Sequence, residues 1–134
     1  MGNNDLERMM NVDEKKIESY QDLRVWQVGM EIAEMCYRLS RTFPKEELYG
    51  MTSQIRRAAT SIPANIAEGY GRQHRKEYIQ FLHTAQGSLK ELETHLLLAA
   101  RVELTTQANI EPILTQCESL GKMLRNLIRA LQGV

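Results

Sequence analysis

FPKEELYGMTSQIRRAATSIPANIAEGYGR, residues 43–72, is the segment that decides how this chain folds. Its apolar residues recur at helical steps of three and four, yet it contains features that helices usually avoid. Pro63 lies in its interior, where a proline removes one backbone hydrogen bond and costs about 3 kcal/mol. Two arginines are adjacent at 56 and 57, and Gly-Tyr-Gly at 69–71 ends the pattern. Contacts elsewhere in the molecule must therefore offset the strain of this helix.

A polar stripe runs along the same segment at steps of three and four, bordering the expected core. Its members are Gln54, Arg57, Ser61, Asn65, Glu68 and Arg72. One interpretation is a hydrogen-bonded network that locks this helix against a neighbouring helix or subunit, with Asn65 or Ser61 satisfying the carbonyl group that Pro63 leaves free. The other is a site for phosphate or a partner. We favour the structural role. The candidate network residues are Gln54, Arg57, Ser61, Pro63, Asn65 and Glu68.

The boundaries of the first two helices follow from local signals. Asp22 is a suitable N-cap for the first helix, and Phe43-Pro44 ends it, because the residue before a proline is pushed out of the helical region. The second helix is expected to start near residues 45–47 and to end at Gly69 or Gly71, where glycine can adopt the left-handed cap conformation. Its core stripe would be Leu48, Met51, Ile55, Ala58, Ile62 and Ile66.

Two further helices are predicted from unbroken heptad stripes. The third runs from about His74 to Arg101, and the fourth begins near Thr105 or Thr106. Their stripes are Tyr78, Leu82, Ala85, Leu89, Leu92, Leu96 and Ala99, and Ile110, Ile113, Cys117, Leu120, Leu124, Leu127 and Leu131. No segment alternates like a strand. Long helices joined by short connections predict an all-α fold, an antiparallel up-down-up-down four-helix bundle over residues 21–134.

The first helix has one polar stripe and two apolar stripes. The apolar stripes are Leu23, Trp26, Met30, Ala33 and Tyr37, and Val25, Gly29, Ile32, Cys36, Leu39 and Phe43. This is more apolar surface than one bundle core usually takes. Either the helix is deeply packed, or the second of these stripes meets another subunit. Residues 1–20 form an acidic N-terminal extension that could hold a short helix or be partly flexible.

Composition excludes several classes of protein. A chain of 134 residues, 43% hydrophobic and 25% charged, suits one soluble domain with a core. Its formal net charge is zero, so any nucleic-acid site must be a local patch. Cys36 and Cys117 have core spacing, which favours buried reduced thiols over a disulfide. No apolar run approaches the length of a membrane span and no signal peptide is present, so a cytoplasmic location is expected.

Signals for catalysis are poor. His74, His83 and His95 are too far apart to share a metal ion, and no metal-binding, nucleotide-binding or nucleophile motif occurs. The expected core stripes contain no acid, unlike those of di-metal bundles. We therefore expect no catalytic residue, no metal, no cofactor and no enzyme activity.

Basic charge concentrates in two segments. These nucleic-acid-binding candidates are Arg56, Arg57, Arg72, Arg75 and Lys76 in the first segment and Lys122, Arg125 and Arg129 in the second. They are either solvated cationic faces or contacts for RNA or DNA phosphates. Few aromatic residues lie among them, which disfavours recognition of single strands by stacking.

Five motifs carry a resemblance to a known family. They are Asp22-Leu23-x-Val25-Trp26-Gln27; Phe43-Pro44-Lys45-Glu46-Glu47-x-Tyr49-Gly50; Ser53-Gln54-Ile55-Arg56-Arg57-Ala58-Ala59; Ser61-Ile62-Pro63-Ala64-Asn65-Ile66-Ala67-Glu68-Gly69; and Phe81-Leu82-x-x-Ala85-x-Gly87-Ser88-x-x-Glu91-Leu92. Their order and spacing resemble the four-helix-bundle proteins encoded in 23S rRNA intervening sequences. The same family includes the accessory variability determinant proteins of diversity-generating retroelements.

The resemblance implies a left-handed antiparallel four-helix bundle that assembles as a ring-shaped homopentamer. It also implies ribosomal RNA or another nucleic acid, or a reverse transcriptase, as partners. The leading hypothesis is a non-enzymatic oligomeric scaffold that engages RNA or an RNA-associated protein through the basic segments. The alternatives are a protein-binding adaptor without a nucleic-acid role and an accessory protein of a retroelement reverse transcriptase.

Overall fold

The computed structural model describes residues 16–133, which contain four long α-helices and no β-strand. They are α1 (Arg24–Ser40), α2 (Met51–Tyr70), α3 (Arg75–Arg101) and α4 (Gln107–Gln132), with short 3₁₀ turns at Tyr20–Asp22 and Lys45–Glu47. Most of the predicted N-terminal extension lies outside the described residues. The all-helical class and the predicted order of four helices are confirmed.

The helices pack in a closed square in which each contacts the next and α4 contacts α1. Helices α2 and α3 run in opposite directions. Ser61 contacts Ser88, whereas the later residue Gly69 contacts the earlier residue Phe81. The same holds for α1 and α2, where Gly29 meets Pro63 and Ser40 meets Arg56. Neighbouring helices are therefore antiparallel, as their short connections require.

The core is built from the predicted stripes of α3 and α4, all of whose residues are buried. On α1 the inward stripe is the second one, with Val25, Ile32 and Cys36 buried. The hypothesis that this stripe meets another subunit is wrong. The outward apolar residues of α1 belong to the other stripe, in which Met30 is 37% and Tyr37 is 38% exposed.

The N-terminal boundary of the packed body lies before α1. Ile17 and Tyr20 are half-buried against the core. The Asp22 carboxylate accepts hydrogen bonds from the backbone N–H groups of Glu18, at 2.9 Å, and Ser19, at 3.1 Å. Asp22 therefore closes the 3₁₀ turn and is not the N-cap of α1, which is Leu23. The predicted cap was wrong because the Asp22 carboxylate accepts from backbone N–H groups that precede it, and not from those in the first turn of α1.

The second helix begins later than predicted. Residues 45–47 form a separate 3₁₀ turn, and α2 starts at Met51, whose backbone N–H is bonded to the Glu47 carboxylate at 3.0 Å. Leu48 consequently lies in the connection and is 49% exposed, so its place in the predicted core stripe is wrong. Ile55, Ala58, Ile62 and Ile66 of that stripe are buried.

The end of α2 also differs from its prediction. Gly71 is the C-cap with φ −76°, and neither it nor Gly69 has the expected left-handed conformation. Gly69 is instead a site of close approach, where an added Cβ would lie 2.7 Å from the Phe81 Cβ. Across the described residues, left-handed backbone occurs at Glu103 and Gly133. Within residues 16–133 no helix is both long enough and apolar enough to span a membrane.

Candidate nucleic-acid interface

The polar stripe of α2 splits into a packed part and a surface part. The Ser61 and Ser88 hydroxyls are 2.7 Å apart across α2 and α3, and the Asn65 amide donates to the Ser61 hydroxyl at 3.0 Å. These half-buried groups form a small network between the two helices. Glu68 and Arg72 form an exposed ion pair at 2.9 Å, and Gln54 and Arg57 are exposed.

Pro63 packs against α1 at a point of close helix approach. A Cβ on Gly29 would lie 3.4 Å from the Pro63 Cβ, so the glycine makes room for the ring. The carbonyl that Pro63 deprives of its helical donor belongs to Ala59, four residues earlier. The Asn65 amide donates to the Ser61 carbonyl instead, at 2.8 Å. Asn65 therefore does not serve the carbonyl for which it was predicted.

The structure separates the first basic segment into two groups. Arg56 and Arg57 lie near the start of α2, about 20 Å along the helix from its C-terminal end at the helical rise. The Arg56 Nε donates to the buried Ser40 hydroxyl at 2.8 Å, and its guanidinium lies 4.5 Å from the centre of the Tyr37 ring. Arg56 thus ties α2 to α1, and a hydrogen-bonded guanidinium stacked on a ring has fewer donors left for a ligand.

The remainder of that segment meets the second basic segment at one end of the bundle. Because the helices are antiparallel, the start of α3 and the end of α4 lie at the same end. We call these residues the basic end: Arg72, Arg75, Lys76, Arg125 and Arg129. All are exposed. Lys122 precedes these residues on α4, about one turn farther from that end, and is paired with Glu118 at 3.6 Å.

Arg72 is the most constrained residue of the basic end. Besides its ion pair with Glu68, its guanidinium lies 4.8 Å from the centre of the Phe81 ring. It is still partly open to solvent, with 42% of its side chain exposed. A contact of this kind orients the cation without removing it from a ligand.

A surface depression adjoins the basic end between α3 and α4. Its volume is about 460 Å³. The lining residues are His83, Gln86, Arg125, Ile128, Arg129 and Gln132. Sequence reasoning missed His83, Gln86 and Gln132, since their proximity to the arginines arises only when the two helices pack. The seven-residue step from Lys76 to His83, which places both on one face of α3, was the signal that could have found His83.

The buried titratable groups are held in their neutral forms. Burial raises the pKa of Cys36 to about 12 and that of Cys117 to about 12. Burial, followed by the neighbouring Tyr70, also raises the pKa of the Tyr78 phenol. Both cysteines are buried and free. Over residues 16–133 the structure contains no cluster of three or more His, Cys, Asp or Glu residues that could hold a metal ion.

An apolar groove of about 690 Å³ runs along the outer side of α1 and α2. Its floor and walls include Trp26, Met30, Pro63 and Ala64, and Tyr20 packs edge-on against Trp26 with ring centres 5.3 Å apart. Glu34, Arg38 and Arg41 line it as well. The outward apolar stripe of α1 is therefore the wall of a groove, with the Pro63 ring opposite.

These features define an antiparallel four-helix bundle with a basic end and an apolar outer groove. The chain belongs to the 23S rRNA-intervening sequence protein family, whose model matches residues 21–126. It is also similar to a solved protein of unknown function from the S23 ribosomal protein family of Bacteroides thetaiotaomicron. That protein is 30% identical, the TM-score is 0.73, and the alignment covers 78% of this chain and 98% of the other. The comparison with proteins of curated function found no match.

Proposed function

We propose that this member of the family is a non-enzymatic oligomeric scaffold of the cytoplasm that binds RNA through the basic end. The observation that carries the proposal is the convergence of cations from two separate segments at one end of the bundle. The structure contributes Arg72, Arg75 and Lys76 from around the start of α3, and Arg125 and Arg129 from the end of α4.

The position of Arg75 and Lys76 argues against a purely structural role. They occupy the first two residues of α3, where the helix dipole favours acids and disfavours cations by about 0.3–1 kcal/mol each. The same helix end presents free backbone N–H groups that attract anions. Cations placed against the dipole are better explained by a negatively charged ligand than by helix stability. Arg129 lies in the last turn of α4, where the helix dipole favours a cation. Its position is therefore also explained by the stability of the helix.

We further propose that the scaffold is a homopentamer whose subunits meet at the apolar groove. The family resemblance implies this assembly, and the groove supplies the exposed apolar surface that a subunit contact needs. Tyr20, Trp26 and Tyr37 are aromatic side chains in that surface, and aromatic residues are enriched at interfaces. The groove lies on α1 and α2, and in a five-membered ring it would meet a different surface of the next subunit, because such rings are built from heterologous contacts.

The RNA proposal is tested by the salt dependence of binding to a labelled ribosomal RNA fragment. Each phosphate contact on a single strand contributes about −0.7 to the slope of log affinity against log salt. The variant Arg125→Glu/Arg129→Glu removes two contacts per subunit, so the slope should fall by about 1.4 per bound subunit and the affinity by at least about tenfold.

The matched control is Arg57→Glu, a charge reversal at the other end of the bundle, which should change binding far less. Undetectable binding of the unaltered protein at low salt would overturn the RNA proposal. In that case, a protein partner recovered after nuclease treatment would support the adaptor function.

A further inference from the structure

The depression between α3 and α4 has the composition of an anion site. Arg125 and Arg129 stand one turn apart on α4, and His83 and Gln86 face them from α3. Within the described chain, none of the residues that line the depression carries a carboxylate. We propose that this depression seats one phosphate group of the RNA backbone, and that His83 couples its occupancy to pH. The proposal rests on the proposed function and deepens it.

The His83 side chain is oriented by a hydrogen bond within α3. Its Nδ1 lies 3.0 Å from the Gln86 side-chain oxygen. An amide oxygen only accepts, so Nδ1 carries the hydrogen and Nε2 is the ring nitrogen left for a ligand. A neutral imidazole offers a lone pair at Nε2, which repels a phosphate oxygen. A protonated imidazole offers an N–H donor there, which makes a charge-assisted hydrogen bond to it.

The charged groups around His83 are mostly cationic. Arg125 and Arg129 face it from α4, and Lys76 and Lys90 lie two turns away on either side along its own helix. Lys90 is partly neutralised by Glu93 at 3.1 Å. A phosphate bound beside the ring attracts the charged imidazole and not the neutral one. Histidine changes charge between about pH 8 and pH 5, so RNA should bind more tightly as the pH falls through that range.

The residues that line the depression also indicate that it does not recognise the bases of the RNA. Among the described residues that line it, the imidazole is the one aromatic ring on which a base could stack, and Ile128 is the one aliphatic side chain. Guanidinium groups pair well with phosphate oxygens in a two-point geometry. The depression should therefore read the backbone and not the base sequence.

The experiment measures binding of a labelled oligouridine of about 20 nucleotides at about 50 mM salt, from about pH 8 to pH 5.5. Uracil gains no proton in this range, so a pH effect reports on the protein. The unaltered protein should bind up to about fivefold more tightly at the acidic limit, the upper value expected for one exposed charge contact. His83→Gln should abolish this change. His83→Lys should bind tightly at both limits.

His74→Gln is the matched control, because His74 is exposed at the same end of the bundle but lies outside the depression. It should retain the pH response. If His83→Gln keeps the full response, the phosphate seat is wrong, and the proposed function stands provided Arg125→Glu/Arg129→Glu weakens binding. If the unaltered protein binds no oligouridine or ribosomal RNA fragment, both proposals fail. A DNA strand of equal length that binds more tightly, with the same pH response, would assign the seat to DNA.

Discussion

Gly29, Pro63 and Gly69 determine how closely α2 approaches its neighbours. Gly29 lets α1 meet the Pro63 ring, with 3.4 Å between the ring Cβ and the position of an added Cβ. Gly69 is buried against α3. Contacts of this closeness offset part of the roughly 3 kcal/mol that an interior proline costs. The proline is tolerated in α2 because the helix packs closely against α1 at Pro63 and against α3 at Gly69.

Gly69→Ala should destabilise the protein by about 1–3 kcal/mol, because the new methyl group would overlap α3. An added Cβ would lie 2.7 Å from the Phe81 Cβ and 3.1 Å from the Tyr78 ring. The free energy of unfolding in urea measures the effect. Gly87→Ala is the control, since an added Cβ there has nothing within 4 Å. It should stabilise α3 by up to about 1 kcal/mol, and equal losses in both variants would contradict the packing argument.

Sequence reasoning recognised Gly69 as special and gave the wrong cause. A glycine near a helix end usually signals a left-handed cap, which is a local property. Here the requirement comes from α3, whose residues are distant in sequence. Asn65 is a second example. Its side chain was correctly expected to hydrogen-bond within the helix, but it donates to the Ser61 carbonyl and not to the one that Pro63 leaves free. The choice of acceptor depends on side-chain geometry, which residue spacing does not provide.

At the scale of the helices, the end of α3 is stabilised in an unusual way. Glu103 has φ 64°, and the next residue, Leu104, donates its backbone N–H to the Ala99 carbonyl at 2.9 Å. This bond pattern closes a helix end at which glycine normally provides the left-handed residue. A glutamate there bears a steric cost that the turn into α4 imposes.

Glu103→Gly should therefore stabilise the bundle by up to about 1 kcal/mol, because glycine adopts the left-handed conformation without a Cβ clash. Thermal unfolding followed by circular dichroism measures the change. Glu31→Gly, at an exposed position inside α1, is the control and should cost about 1 kcal/mol. A loss of stability in both variants would show that Glu103 makes a contact outweighing its backbone strain.

The predicted stripes of α3 and α4 were confirmed because each helix follows one regular period over its whole length. Residue spacing could not distinguish the buried face of α1 from its outward face. Both of its apolar stripes have helical spacing, and burial of one or the other depends on the rotation of α1 against α2. In the structure the face of α1 that contains Gly29 meets the Pro63 ring, with 3.4 Å between the ring Cβ and an added Cβ on Gly29.

At the scale of the whole molecule, the apolar groove and the basic end lie on different parts of the bundle. The groove is formed by α1 and α2, whereas the depression is formed by α3 and α4. The described linings of the two surfaces share no residue. Repetition of a basic end in an oligomer would also strengthen binding to a long RNA through multivalency.

Ala64→Glu should break the assembly without unfolding the subunit, because it places a charge on an exposed position of the groove. Light scattering should give the unaltered protein about five times the 15.4 kDa mass of the chain and the variant a smaller mass. Thr84→Glu, on exposed α3, is the control and should remain assembled. An unaltered protein that is monomeric at micromolar concentration would contradict the pentamer.

The helical class, the order of the four helices and the composition of most of the core follow from the amino-acid sequence. Periodicity, caps and breakers are local, and they act on every turn of a helix in the same way. The buried face of α1, the need for a glycine at position 69 and the grouping of the cations depend on how the helices pack against one another. Arg56 and Arg72 belong to one basic segment in the sequence and to opposite ends of α2 in the fold. Arg125 and His83, distant in sequence, line one depression because antiparallel packing brings the end of α4 beside the start of α3.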